Sequence, residues 1–290
     1  MTNPLISTFR EWLDKSGRSV LTVASYVADV KKYIAFLEAH EIEGSVTINR
    51  YLFNRFKEHL QAQNQSVATI NKAINSMKVF NDFLIEQGIV QEQYVVLKRD
   101  RIKIAYGSES EVEVLTQQQI QQILNHLIND TVRNRCIFLM LLYTGIRASE
   151  LINIKIQDID RITGQLTVNG KGGKQRTIPL RKEVQEAIDE YLIGERAKSK
   201  HVAGPYLFLS QRAEKMHREG VRQMLSDIGD RLGYKIYTHM IRHTFATRLI
   251  ENGVDLVTVS KLCGHSNVAI TSKFYINISN EMKKNAINSI

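Results

Sequence analysis

Residues 238–253, "THMIRHTFATRLIENG", place two histidines and two arginines on a stretch that otherwise reads as a well-packed amphipathic helix. Met240, Ile241, Ala246, Leu249 and Ile250 leave little of the segment to face water. The basic residues are therefore not there simply for solubility. Residues three and four apart share a helix face, so His239, Arg242 and His243 point in roughly one direction from a mostly buried element. Thr238 is placed to cap its start. A cation taken out of water is costly unless it is paired, so that direction requires a partner.

Composition narrows the partner. The chain has 290 residues, enough for one large domain or two ordinary ones, and a hydrophobic content of 43% to build a core. Lys and Arg number 39 against 30 Asp and Glu, a formal charge of +9, which favours a polyanion such as nucleic acid. Cys136 and Cys263 lie far apart among apolar residues, without zinc spacing, and read as small buried hydrophobes in a reducing compartment. The opening "MTNPLISTFREWLDK" lacks the apolar region of a secretory signal, and no run approaches a membrane span. A cytoplasmic, nucleoid-associated protein with no membrane partner is expected.

Working outward from the basic helix, the first hundred residues read as four helices. Leu5, Phe9, Trp12 and Leu13 form one stripe, closed by Gly17, and Tyr26, Val30, Tyr33, Ile34 and Leu37 form a second. Ile48, Leu52, Phe56 and Leu60 follow a Thr47 cap, while Ile70, Ile74, Met77 and Leu84 follow Ser66. The polar faces carry Lys31, Lys32, Lys72, Asn75 and Lys78, which either touch phosphate or are simply solvated. The stretch "LKRDRIKIAYGSESEVEV" has no helical period, and the expected organisation is a helical domain at 1–97, a linker at 98–112 and a second domain at 113–290. There, "TQQQIQQIL" restarts a helix with Thr116 and Gln119 in capping-box positions, and "CIFLMLLYTG" closes at Gly145. "QLTVNG" and "QRTIPL" flank "KGGK" as a hairpin. The remainder is helical.

Four further places bear on chemistry. In "TGIRASE", Arg147 follows a helix-ending glycine and either pairs with Glu150 or faces a ligand. "GKGGKQR" sets Lys171 and Lys174 at a hairpin tip, where a solvated turn is the plain reading. "LCGHSN" places His265 just past a helix-capping Gly264. "ITSKFYINIS" offers Tyr275, which beside Phe274 reads by itself as a core residue.

Taken together and in this order, Arg147, Lys171, His239, Arg242, His265 and Tyr275 resemble the active site of the tyrosine recombinases, the phage-integrase family, particularly Xer-type and transposon-borne resolvase or integrase members. The resemblance covers the whole chain. It implies a mainly α, two-domain clamp: an N-terminal four-helix core-binding domain of SAM-like type and a mostly helical catalytic domain with a small antiparallel sheet. It further implies double-stranded DNA with paired inverted half-sites as substrate, a homotetramer on that DNA, and an accessory protein or partner recombinase. A C-terminal helix carrying Met282, Ala286, Ile287 and Ile290 is expected to dock on a neighbouring protomer. No cofactor and no metal are expected: His239 and His243 have zinc-site spacing, but Met, Ile and Arg intervene. A type IB topoisomerase-like enzyme and a catalytically idle DNA-binding relative are the alternatives.

The residue types suit that chemistry. Transesterification at a phosphodiester builds charge on the phosphoryl oxygens, which guanidinium groups bind bidentately while remaining charged. Arg147 and Arg242 take this role in the resemblance, with His239 and His265 donating further hydrogen bonds. The resemblance makes Tyr275 the nucleophile and Lys171 the acid for the leaving 5′ oxygen. Lys31, Lys32, Lys72, Asn75, Lys78 and Lys174 are candidate DNA contacts, and His243 is read as a packed residue orienting its helix. If the protein encloses duplex DNA, the logarithm of affinity falls with the logarithm of salt concentration at about 0.9 per neutralised phosphate. A titration series between low and high salt checks this, and a nearly flat dependence would count against an enclosing mode.

Overall fold

Apolar stripes and side-chain caps produce the helices of the N-terminal region as the sequence leads one to expect. The structure, a computed structural model, describes residues 4–40, 48–103, 112–170, 173–265, 271 and 287. It divides into two units, Met1–Glu109 and Ser110–Ile290. The first contains α1 (Pro4–Lys15), α2 (Val20–Ala39), α3 (Arg50–Ala62) and α4 (Val67–Glu86). Ser19 and Ser66 accept hydrogen bonds from the backbone N–H groups of Thr22 and Thr69, which satisfies donors left open at a helix start. For α3 the cap is Asn49, whose Oδ1 accepts from Leu52 N at 2.8 Å. Thr47, the expected cap, lies outside the described residues, and Ile48 is already core, 1% exposed, before the helix begins.

Aromatic packing joins these helices. Phe9 meets Phe80 edge-on and Phe83 at a tilt, each with centroids 5.2 Å apart, and Tyr33 meets Phe56 edge-on at the same separation. A short α5 (Leu97–Asp100) follows. Asp100 is buried and pairs with Arg50 at 2.6 Å. Asn71 on α4 brackets Ile102, donating to its carbonyl and accepting from its N–H, both at 2.9 Å. Within the stretch expected from residue 98 as a linker, Asp100 and Ile102 are tied to the first unit. Those ties are polar, and hydrophobic periodicity does not register them.

In the second unit, α6 (Gln117–Ile128) begins with the expected capping box of Thr116 and Gln119. Next comes α7 (Val132–Thr144), buried at every position from Cys136 to Leu142, which is why its sequence is apolar without a helical period. It is packed by α6, by α9 (Lys182–Ile193) and by α11 (Thr238–Glu251). A four-residue α8 (Ala148–Leu151) precedes a three-stranded antiparallel sheet ordered β1 (Ile159–Asp160), β2 (Gln165–Asn169), β3 (Gln175–Pro179). β2 and β3 are the expected hairpin. β1 spans two residues, too few for alternation to reveal. Beyond the sheet lie α10 (Arg218–Leu232) and α12 (Leu256–Cys263). Cys136 and Cys263 are buried free thiols. Among the described residues no helix is long and apolar enough to cross a membrane.

One buried arginine organises the irregular segment between α9 and α10. Arg196, 4% exposed, donates to the carbonyls of Val202, Gly204, Tyr206 and Leu207. A lysine ammonium has no planar fork with which to reach four carbonyls. Arg196→Lys is expected to lower stability by roughly 2 kcal/mol through carbonyls left unpaired. Chemical denaturation of the two proteins checks this, and an unchanged midpoint would mean that the loop does not depend on the guanidinium.

Candidate active site

Two glycines and one helix end build the site. Gly145 ends α7 in the left-handed conformation, φ +60°. A Cβ there would fall 2.2 Å from the ring of Phe245 on α11, so only glycine lets the "TGIR" turn press against that helix. Ile146 is fully buried and anchors the turn. Arg147 then emerges as the N-cap of α8, its backbone N–H donating to Glu150 Oε2 at 2.8 Å and its Nη1 to Glu150 Oε1 at 2.9 Å. Of the two readings open from sequence, the pairing with Glu150 is present, and the Arg147 side chain remains 35% exposed.

Opposite this turn, α12 is capped by Asp255, which accepts from Val257 and Thr258, and ends at Gly264 with φ +65°. Its last carbonyls point at arginines. Leu262 O accepts from Arg176 Nε at 2.9 Å, Cys263 O from Arg242 Nη2, and Gly264 O from Arg147 Nη2 at 2.9 Å. Arg242 also donates through Nη1 to Gly145 O. These carbonyls are the acceptors that a helix C-terminus leaves open, at its negative end. Burial lowers the Arg242 pKa to about 10, with the neighbouring Arg147 adding to the effect, so Arg242 keeps its charge at neutral pH.

His239 and His265 lie in the field of these cations. Burial, then Arg242, Arg147 and Arg218, lower the His239 pKa below its usual value. Burial together with Arg242 and Arg147 takes His265 down to about 4. At neutral pH both rings are neutral: each can donate through one nitrogen and accept a proton at the other. His265 Nδ1 lies 2.8 Å from Thr271 Oγ1, which fixes its ring. His243, whose ring centroid is 6.2 Å from that of His239, hydrogen-bonds the backbone of Glu113. Thr238 is the first residue of α11, and the N-cap position belongs to Tyr237, with no side-chain cap bond. This corrects the capping expectation, since an extended Tyr237 already positions the helix start.

Arg147, His239, Arg242 and His265 are thus brought to one end of α12. Lys171 and Tyr275 lie outside the described residues. The hairpin that carries Lys171 is closed at its base by Gly170 N donating to Lys174 O at 2.8 Å, and Lys174 is exposed. Among the candidate contacts of the first unit, Lys31 and Lys32 are exposed. Lys72 pairs with buried Asp29 at 3.1 Å, Lys78 with Asp82 at 2.6 Å, and Asn75 accepts from Arg101 at 2.7 Å. Sequence reasoning missed Arg176 as part of the site. Its signal was present: Arg176 has the same strand parity as buried Ile178, the inward face of β3.

Neutral His265 is the form the fold favours, so its contribution to stability is complete above the unfolded value near 6.5 and is lost as pH falls toward 4. Between pH 7 and pH 5 the melting temperature of the DNA-free protein should therefore fall less in His265→Gln than in the parent. Calorimetry at the two pH values checks this, and equal falls would show that the ring titrates normally.

Residues 113–282 match the model of the Phage integrase family, and residues 6–88 match that of the Phage integrase N-terminal SAM-like domain. The chain is 33% identical to the TnP I resolvase of Bacillus thuringiensis, with 96% of each chain covered. It is 30% identical to the tyrosine recombinase XerA of Pyrococcus furiosus, over 99% of this chain and 94% of that one. Among solved structures, the XerH site-specific recombinase bound to a palindromic difH substrate superimposes with a TM-score of 0.76 at 20% identity, covering 97% of this chain and 84% of the other. The last likeness concerns the fold.

Proposed function

The chain belongs to the phage integrase family and is a tyrosine site-specific recombinase, and from that premise we propose that it cleaves and rejoins duplex DNA through a 3′-phosphotyrosyl intermediate and a Holliday junction. The observation that carries the proposal is the pair of guanidiniums, Arg147 and Arg242, held on adjacent carbonyls at the end of α12 with neutral His239 and His265 beside them. Such fixed donors require no reorganisation when charge develops on the scissile phosphate.

In this mechanism Tyr275 attacks the phosphorus, the Tyr275 oxygen–phosphorus bond forms, and the bond to the 5′ oxygen breaks. Neutral His239 is suited to take the phenolic proton. Lys171 gives a proton to the departing 5′ oxygen. Attack by the 5′ hydroxyl of a partner strand on the phosphotyrosine reverses the chemistry, so one ester replaces another and no nucleotide hydrolysis is required. Arg147 and Arg242 bind the non-bridging oxygens throughout.

Strand exchange needs two DNA sites, each with paired inverted half-sites, and hence four protomers, each using both of its domains to enclose the duplex, with Lys31, Lys32 and Lys174 at the phosphates. The C-terminal segment joins neighbouring protomers. In support, the catalytic unit has an apolar cavity of about 260 Å³ lined by Leu142, Tyr143, Phe245, Leu249 and Leu262, and Ile287 of the tail is exposed.

A substrate with sulfur in the 5′ bridging position separates the roles. Tyr275→Phe should bind a half-site normally yet give no covalent adduct on denaturing gels. Lys171→Ala should cleave ordinary DNA roughly a hundredfold more slowly but cleave the sulfur substrate at near the parental rate, because a thiolate leaves without a proton. Arg147→Ala and Arg242→Ala should stay slow on both. An adduct formed by Tyr275→Phe would remove the nucleophile assignment, and equal impairment of Lys171→Ala on both substrates would shift the acid to Lys174.

A further inference from the structure

Arg176 stands opposite Val168 in the β2–β3 ladder, with a side chain only 13% exposed. All three of its nitrogens are engaged: Nε with Leu262 O at 2.9 Å, Nη1 with Glu150 Oε1 at 3.0 Å, and Nη2 with Glu150 Oε2 at 2.8 Å. Glu150 also accepts from the backbone N–H and Nη1 of Arg147, so four donors occupy its two oxygens. Burial alone would raise the Glu150 pKa; the Arg176 bonds, the Arg147 N–H and both guanidinium charges bring it below its ordinary value. A carboxylate so saturated has no place as a general base. One glycine makes room for the arrangement. A Cβ on Gly264 would lie 2.7 Å from Arg176 Nη1.

We propose that Arg176 is a positioning residue for strand cleavage: through Glu150 it orients the guanidinium of Arg147, and through Leu262 O it fixes the end of α12 from which His265 emerges, without itself touching DNA. The inference rests on the reading of Arg147 as a phosphate clamp. One guanidinium joins three pieces of the site: the hairpin with Lys171 at its tip, the α8 start with Arg147, and the α12 end with His265. It also sets the charge balance. A carboxylate beside Arg147 orients that arginine but offsets its charge, and Arg176 restores the cation, leaving Arg147, Arg176 and Arg242 around one anion. The groups facing Glu150 are Arg147 from its own turn, Arg176 from β3, Arg242 from α11 and the Cys263 thiol from α12.

The test compares the parent, Arg176→Gln, Arg176→Lys, Glu150→Gln and the double variant Glu150→Gln/Arg176→Gln for half-site binding and for the rate of covalent adduct formation across pH. Arg176→Gln should bind a half-site close to normally and form adduct roughly ten- to a hundredfold more slowly, the scale of a slightly misplaced clamp. Bridging sulfur should not restore it. Its rate should fall further in acid, because Glu150 held by fewer donors protonates at higher pH, and this acid limb should vanish in the double variant. The double variant should be no slower than the slower single. Parental rate and pH profile in Arg176→Gln, a loss of affinity equal to the loss of rate, or additive losses in the double variant would each overturn the proposal. Should Arg176→Gln fail to fold, Arg176→Lys carries the test: one point donor in place of the fork should give the same acid limb, and a parental profile would overturn it. A parent that forms no adduct at all would instead remove the catalytic reading, so the two failures are distinguishable.

Discussion

Three successive backbone carbonyls at the end of α12, those of Leu262, Cys263 and Gly264, each accept a hydrogen bond from a different arginine. Helix C-termini leave such carbonyls open and carry partial negative charge. Here both needs are met by cations from other parts of the unit: Arg176 from the sheet, Arg242 from α11, Arg147 from the turn after α7. The helix end thus gathers the basic residues and holds them apart from one another. Without it, neighbouring guanidiniums would repel, and Arg242, 4% exposed, would be a buried charge with too few partners.

The glycines follow from the same constraint. Gly264 lets α12 terminate in the left-handed conformation and leaves room for Arg176 against its Cα. Gly145 does the equivalent at the other side, placing its own carbonyl under Arg242 and its Cα against the Phe245 ring. Backbone and side chain are matched at each point, so the guanidinium donors are held in place by the protein alone. In the proposed mechanism, preorganisation of this kind is what makes electrostatic stabilisation effective.

The segment that enters the second unit is attached to the same helix that bears His239 and Arg242. Leu115 N donates to Thr244 Oγ1 at 2.8 Å, the Tyr237 hydroxyl donates to Glu113 at 2.5 Å, and His243 bonds the Glu113 backbone. His243 thus ties the chain's entry to α11 while lying in the field of His239 and Arg242, and His239 one turn earlier faces Arg242 and Arg147.

Much of this was legible in the amino-acid sequence, because helices, caps and the hairpin are local. The stripes of α1 to α4, the Thr116–Gln119 capping box, the Gly145 and Gly264 stops and the β2–β3 turn all follow from residues a few positions apart. The order of Arg147, Lys171, His239, Arg242, His265 and Tyr275 sufficed to identify the family. What only tertiary structure decided was pairing across long separations. Glu150 meets Arg176 from 26 positions away, Arg147 meets Gly264 O from 117, and Asp29 meets Ser76 from 47. Periodicity reads apolar residues that face a core, and a buried polar residue interrupts that pattern without naming its partner. Arg176 was hidden for this reason: its strand parity marks it as inward, but only the approach of α8 and α12 supplies the carboxylate and the carbonyl that make an inward arginine stable.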